Sequence, residues 1–166
     1  MTVLILILVV LVNFFLQSSI LPYVNILGVV PNTALLIVIS ISLFRGRYYG
    51  GFIGLIIGLI QDIVFAPVIG INAFIYFFAG YLVGLVENKV TKENMLIPIL
   101  FSIQGTIYYN FSYYVFMFFL SRDIPFLSFV KDVLLIEIIY NGVLSIPIYK
   151  IFSKIFVVPK IRFGSR

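Results

Sequence analysis

Two carboxylates, Asp62 and Glu137, lie inside apolar runs of the sequence, and they bound the chemistry the chain could attempt. Glu137 begins a polar series at spacing four with Asn141 and Ser145, so the three share one face of a helix. Gln104, Tyr108 and Ser112 form a second such series. Together, Glu137, Gln104 and Asn141 could line an interior polar site that holds a lipid or small molecule by hydrogen bonds. Catalysis asks for more than one deep acid. The chain has no His and no Cys, which removes imidazole and thiolate nucleophiles and the usual transition-metal ligands. It also lacks a Ser-Lys pair or two neighbouring carboxylates suited to acid–base work. These residues describe a protein that is not an enzyme and needs no metal or cofactor.

Asp62 stands in a different pattern. Gly46, Gly50, Gly54 and Gly58 recur every fourth residue, and Asp62 takes the next step of the series. Each glycine in a helix costs about 1 kcal/mol relative to alanine, so Gly50, Gly54 and Gly58 together give up roughly 3 kcal/mol. Some contact along that stripe has to offset the loss.

The elements that carry these residues are membrane helices. With 63% hydrophobic and 10% charged residues and a mean hydropathy of +1.21, the chain lies far outside the composition of soluble domains. About 20 apolar residues cross a bilayer. Dividing the chain at charges, prolines and glycine clusters predicts six spans: 1–21, stopping before Pro22; 32–44, with 28–31 as a bent lead-in; 48–65; 71–86; 96–120; and 133–149. Residues 123–132 are expected to lie on the membrane as an interfacial helix, and the chain from Lys150 is expected to leave the bilayer as a basic tail. The reading is of one polytopic domain over 1–163, all-α, with 164–166 as a tail; the chain's last four residues, FGSR, resemble a cloning scar.

An even number of spans puts both termini on one side. Nine of the eleven cations fall there (Arg45, Arg47, Lys89, Lys92, Lys150, Lys154, Lys160, Arg162 and Arg166), against Arg122 and Lys131 opposite. The excess of positive charge marks the cytoplasmic side, so both termini are expected in the cytoplasm. A net charge of +5 spread over short links serves topology and does not call for nucleic acid.

Lipid offers no hydrophobic reward for hiding Leu against Leu, so membrane helices associate through close backbone packing and hydrogen bonds. The glycine stripe is therefore a groove for another helix. Gly80 and Gly84 offer a second groove in the next span, with Asn72 and Tyr76 continuing its line. Packing within the bundle is favoured over docking of another protein. Asp62 sits about 4.5 Å from the end of its span. Either an interfacial acid or a buried hydrogen-bonding group fits that depth.

Pro31-Asn32 with Leu35, then Arg45-Gly46, Gly50, Gly54-Leu55, Gly58-Leu59 and Asp62, with Gly70, Ala73, Gly80-Tyr81 and Gly84 after them, resemble the rod shape-determining MreD family. Length and span order agree over nearly the whole chain, and the specific match runs from Pro31 to Gly84. The resemblance implies a non-enzymatic component of the bacterial elongation machinery in the inner membrane. Its partner would be MreC, a single-span protein, and through it MreB, RodA and its transpeptidase. It also implies a six-span fold similar to the substrate-binding subunits of energy-coupling factor transporters. Pro31, Asn32, Gly50, Gly54, Gly58 and Asp62 are the motif positions, with Arg45, Gly80 and Gly84 as further packing or partner-binding residues; a second copy of the chain is a further partner such grooves admit.

The competing reading is a transporter subunit of that same architecture. Such subunits dock their transport module through an Ala-x-x-x-Ala surface on the first helix. Here the first span opens MTVLILILVVLVNFFLQ, without Ala or Gly.

Overall fold

A computed structural model describes residues 2–25, 27–92, 94–121 and 130–156. Among them are six α-helices. The first, α1 (Thr2–Phe15), runs on through a π-helical turn (Leu16–Ile20) and a 3-10 turn (Leu21–Val24). Next come α2 (Thr33–Arg45), α3 (Arg47–Phe65), α4 (Ile71–Gly84) and α5 (Leu96–Phe119). A π turn (Val130–Leu134) leads into α6 (Leu135–Phe156).

The helical membrane bundle expected from composition is the fold. Two boundaries differ. The first span does not stop before Pro22, because the proline occupies the opening of the 3-10 turn, where its missing N–H is not needed. The last helix does not end at Tyr149 but continues through Pro147 to Phe156. Pro147 withdraws the hydrogen bond owed to the Val143 carbonyl without ending the helix, as neighbouring helices allow in membranes. Lys150 and Lys154 therefore extend α6 and do not begin a tail. Most of the expected interfacial helix, residues 123–129, and the ending 157–166 lie outside the described residues.

Four segments are long and apolar enough to cross a membrane: Leu4–Val24, Arg47–Phe65, Ile71–Lys89 and Leu135–Phe156. α5 has the length, at 24 residues, but Gln104, Asn110 and four tyrosines dilute its apolar character. α2 has the character but only 13 residues, about 20 Å against a hydrocarbon core of about 30 Å. Its surroundings resolve the shortfall. α2 packs against α3, α4, α5 and α6, and every residue from Thr33 to Phe44 is buried. The shortest helix is the axis of the bundle.

Both ends of α2 are fastened. At its start the Asn32 side chain accepts from Leu35 N at 3.0 Å, satisfying one of the orphan donors of the first turn. At its end Lys92 Nζ donates to the Phe44 carbonyl at 3.3 Å and pairs with Glu87 at 3.0 Å, placing a cation at the negative pole of the helix. Asn32 and Asp62 mark one end of the bundle, Arg45 and Lys92 the other. The C-terminal part of α1 meets the Asp62 end through Thr33 Oγ1 to Asn13 Oδ1 and Gln61 Nε2 to Gln17 Oε1, both 2.8 Å. The C-terminal part of α6 meets the Arg45 end, where Tyr149 stacks on Phe44 with ring centroids 4.6 Å apart. Thus α1 begins and α6 ends at the same end.

Candidate functional site

The glycine stripe of α3 faces α4. A Cβ built on Gly54 would strike the Tyr76 carbonyl, one on Gly58 would strike the Ala73 backbone, and one on Gly80 would strike the Gly50 carbonyl. Gly50 in turn lies against Ser42 of α2 and Gly80 of α4, and Gly84 lies against the Arg47 backbone. The two helices touch main chain to main chain along their whole length. This close approach is what lipid-embedded helices use for association. Arg45 sits at the far end of the stripe, its guanidinium 4.9 Å from the Tyr49 ring centre and 5.4 Å from that of Phe156.

Asp62 completes that hairpin chemically. It is fully buried, and its two oxygens receive four donors from the start of α4. Oδ2 accepts from Gly70 N at 2.9 Å and Ala73 N at 3.0 Å; Oδ1 accepts from Asn72 N at 3.1 Å and Asn72 Nδ2 at 2.9 Å. A helix N-terminus presents unpaired N–H groups and a partial positive charge, and a carboxylate answers both. The turn that makes this reach possible has Gly70 at φ +107°, a left-handed conformation that side chains resist.

From Asp62 the hydrogen bonds continue across the bundle. Asn72 Oδ1 accepts from the Tyr109 hydroxyl of α5 at 2.9 Å. Tyr76, stacked on Tyr109 at 5.4 Å, donates to Asn32 Oδ1 at 2.8 Å. Asn32 N donates to Asn141 Oδ1 on α6 at 2.9 Å, and Asn141 Nδ2 donates to Thr106 Oγ1 at 2.9 Å and to Glu137 Oε1 at 3.2 Å. Asn110 Nδ2 closes the circuit onto Glu137 Oε2 at 2.7 Å. Five elements are joined by buried polar side chains. Beside them a recess of about 380 Å3, lined in part by Glu137, Asn110, Tyr109 and Tyr76, lies at the Asp62 end.

Asn32, Asp62, Glu137 and Asn141 all belong to this assembly, and the Pro31 carbonyl accepts from Thr33 N beside it at 3.1 Å. Gln104 does not. It is exposed, at an apolar groove with Leu82 and Phe101, so the expected grouping with Glu137 and Asn141 is corrected. The inward face of α5 carries Ser102, Thr106 and Asn110 instead, all buried. That set is also four-spaced and lies about 200° around the helix from Gln104, Tyr108 and Ser112. Gly105, buried against Ile39, was the available signal, because it shares the face of Ser102 and not of Gln104. Among the described residues no group of acids, His or Cys could hold a metal.

A family model described as rod shape-determining protein MreD matches residues 1–155. No curated protein and no solved structure matches the chain.

Proposed function

The chain belongs to the MreD family of rod shape-determining proteins, and from that premise we propose that it is a non-enzymatic scaffold of the cell-elongation complex, holding MreC against the cytoplasmic membrane. Through MreC it would engage MreB, RodA and the RodA transpeptidase. The observation that carries this reading is how the membrane-embedded polar and glycine residues are spent. The stripe is filled by α4 and the buried amides and acids fasten helix to helix, which makes a stiff body and leaves outward faces for partners. Family membership favours this scaffold over the transporter subunit.

With the stripe occupied, the MreC span needs another groove. One of about 430 Å3 runs between α1 and α3, floored by Leu6 and Ile53 and edged by Leu11 and Phe52. Leu11 is 52% exposed and Phe52 62%, so truncating them removes contact area without opening the core. The double variant Leu11→Ala/Phe52→Ala is expected to melt like the parent in detergent and to weaken MreC co-purification about tenfold. Undiminished MreC with unchanged melting would exclude this groove.

The orientation has its own test. Of the described cations, Arg45, Arg47, Lys89, Lys92, Lys150 and Lys154 belong to the Arg45 end and Lys131 to the other, and by that excess we assign the Arg45 end to the cytoplasm. The chain has no cysteine to confuse labelling. In intact spheroplasts an impermeant thiol reagent should mark Ile69→Cys and spare Thr91→Cys. The opposite pattern would invert the topology.

A further inference from the structure

The hydrogen bonds around the recess leave an uneven remainder. Asn110 Nδ2 spends its two N–H groups on the Thr106 carbonyl at 2.9 Å and on Glu137. Asn141 Nδ2 spends both of its own on Thr106 and Glu137. The hydroxyls of Tyr76 and Tyr109 donate to Asn32 and Asn72. What these groups still offer is acceptor capacity: two phenol oxygens, the Asn110 carbonyl and the free lone pairs of Glu137. Glu137 is 5% exposed, and among the residues whose side chains are described no Lys or Arg lines the recess. A negative charge on Glu137 would be met by two neutral amides alone, and a cation that donates hydrogen bonds supplies the missing compensation.

We propose that the recess is a binding site for a primary ammonium group, carried by the head group of an aminophospholipid or by a free small amine. Its volume of about 380 Å3 falls in the range of small-molecule sites. An anionic group placed against Glu137 would meet like charge and acceptors. Gln17, Gln61 and Tyr113 on the same lining keep donors for the rest of such a ligand. The inference is independent of MreC.

The test uses the purified full-length protein. Its melting is followed with ethanolamine or putrescine hydrochloride against sodium chloride at equal ionic strength. In parallel, native mass spectrometry compares retention of phosphatidylethanolamine and phosphatidylglycerol from mixed vesicles. A saturable rise in melting temperature with the amines identifies a free ligand, and selective retention of phosphatidylethanolamine identifies a lipid head group; either supports the site. Glu137→Gln should weaken the response about tenfold or more. Asn110→Asp combined with Glu137→Gln moves the carboxylate across the same hydrogen bond and should restore it, which also covers the case in which the single variant fails to fold. Lys131→Gln should bind as the parent does. The site is overturned if neither amine nor lipid binds, if Glu137→Gln binds normally, if the folded exchange variant does not bind, or if Lys131→Gln behaves like Glu137→Gln, which would make the chain's own ammonium the occupant.

Discussion

Gly54→Leu is expected to leave no stable folded protein in detergent, and even Gly54→Ala should cost about 2 kcal/mol net. The alanine result separates packing from propensity. Alanine gains about 1 kcal/mol of helix propensity over glycine, so a purely local view predicts stabilisation. The Cβ at position 54, however, would collide with the Tyr76 carbonyl, which is main chain and cannot rotate aside, so α3 and α4 must part. Gly51 is the control. A Cβ there meets the Phe77 ring edge at 3.3 and 3.4 Å, which can give way, and the Phe77 carbonyl at 3.5 Å, an ordinary contact distance. Gly51→Ala should therefore hold or raise the melting temperature while Gly54→Ala lowers it. Equal behaviour of the two alanine variants would show that the backbone contact is not what the glycines serve.

Asp62→Ala should be the next most damaging single change, at about 3 kcal/mol or more. It strands three backbone donors, the buried Asn72 N and Ala73 N and the half-buried Gly70 N, and each unmet buried donor costs about 1–3 kcal/mol. Asp62→Asn keeps the shape but puts an NH2 where one oxygen received two donors, so it should fall between parent and alanine, at about 2 kcal/mol, and remain milder than Gly54→Leu. Melting in detergent and the amount of folded protein in membranes measure both. If Asp62→Asn melts like the parent yet loses rod-shape complementation, the carboxylate has a role beyond capping α4.

The stripe and its acid are thus one device: glycines bring the next helix close, and Asp62 receives its N-terminus. Much of this was legible in the residues. Spans appear as apolar runs, and the four-spaced glycines announce a close helix contact whatever the partner. The Glu137, Asn141 and Ser145 face is buried as its spacing suggests, because no rival polar series competes on α6. On α5 two four-spaced series exist on nearly opposite faces, and periodicity cannot choose between them. Gln104 turned outward, while Tyr108 of the same series is half-buried against the core. The central place of α2 was also illegible, since a short apolar segment reads the same at the axis of a bundle as at its edge. Nor does spacing reveal which donors meet Asp62; that depends on the turn at Gly70 bringing α4 back over α3.

The burial of α2 has a consequence for biosynthesis. A segment of about 20 Å cannot hold a transmembrane position in lipid by itself, and the helices that enclose it on α3, α4, α5 and α6 all emerge from the ribosome later. Insertion therefore cannot proceed as six independent steps. α2 has to wait in a protected place at the insertion machinery until the α3–α4 hairpin, contiguous in sequence and closed by its own cap, arrives to receive it. The final two helices then complete its enclosure.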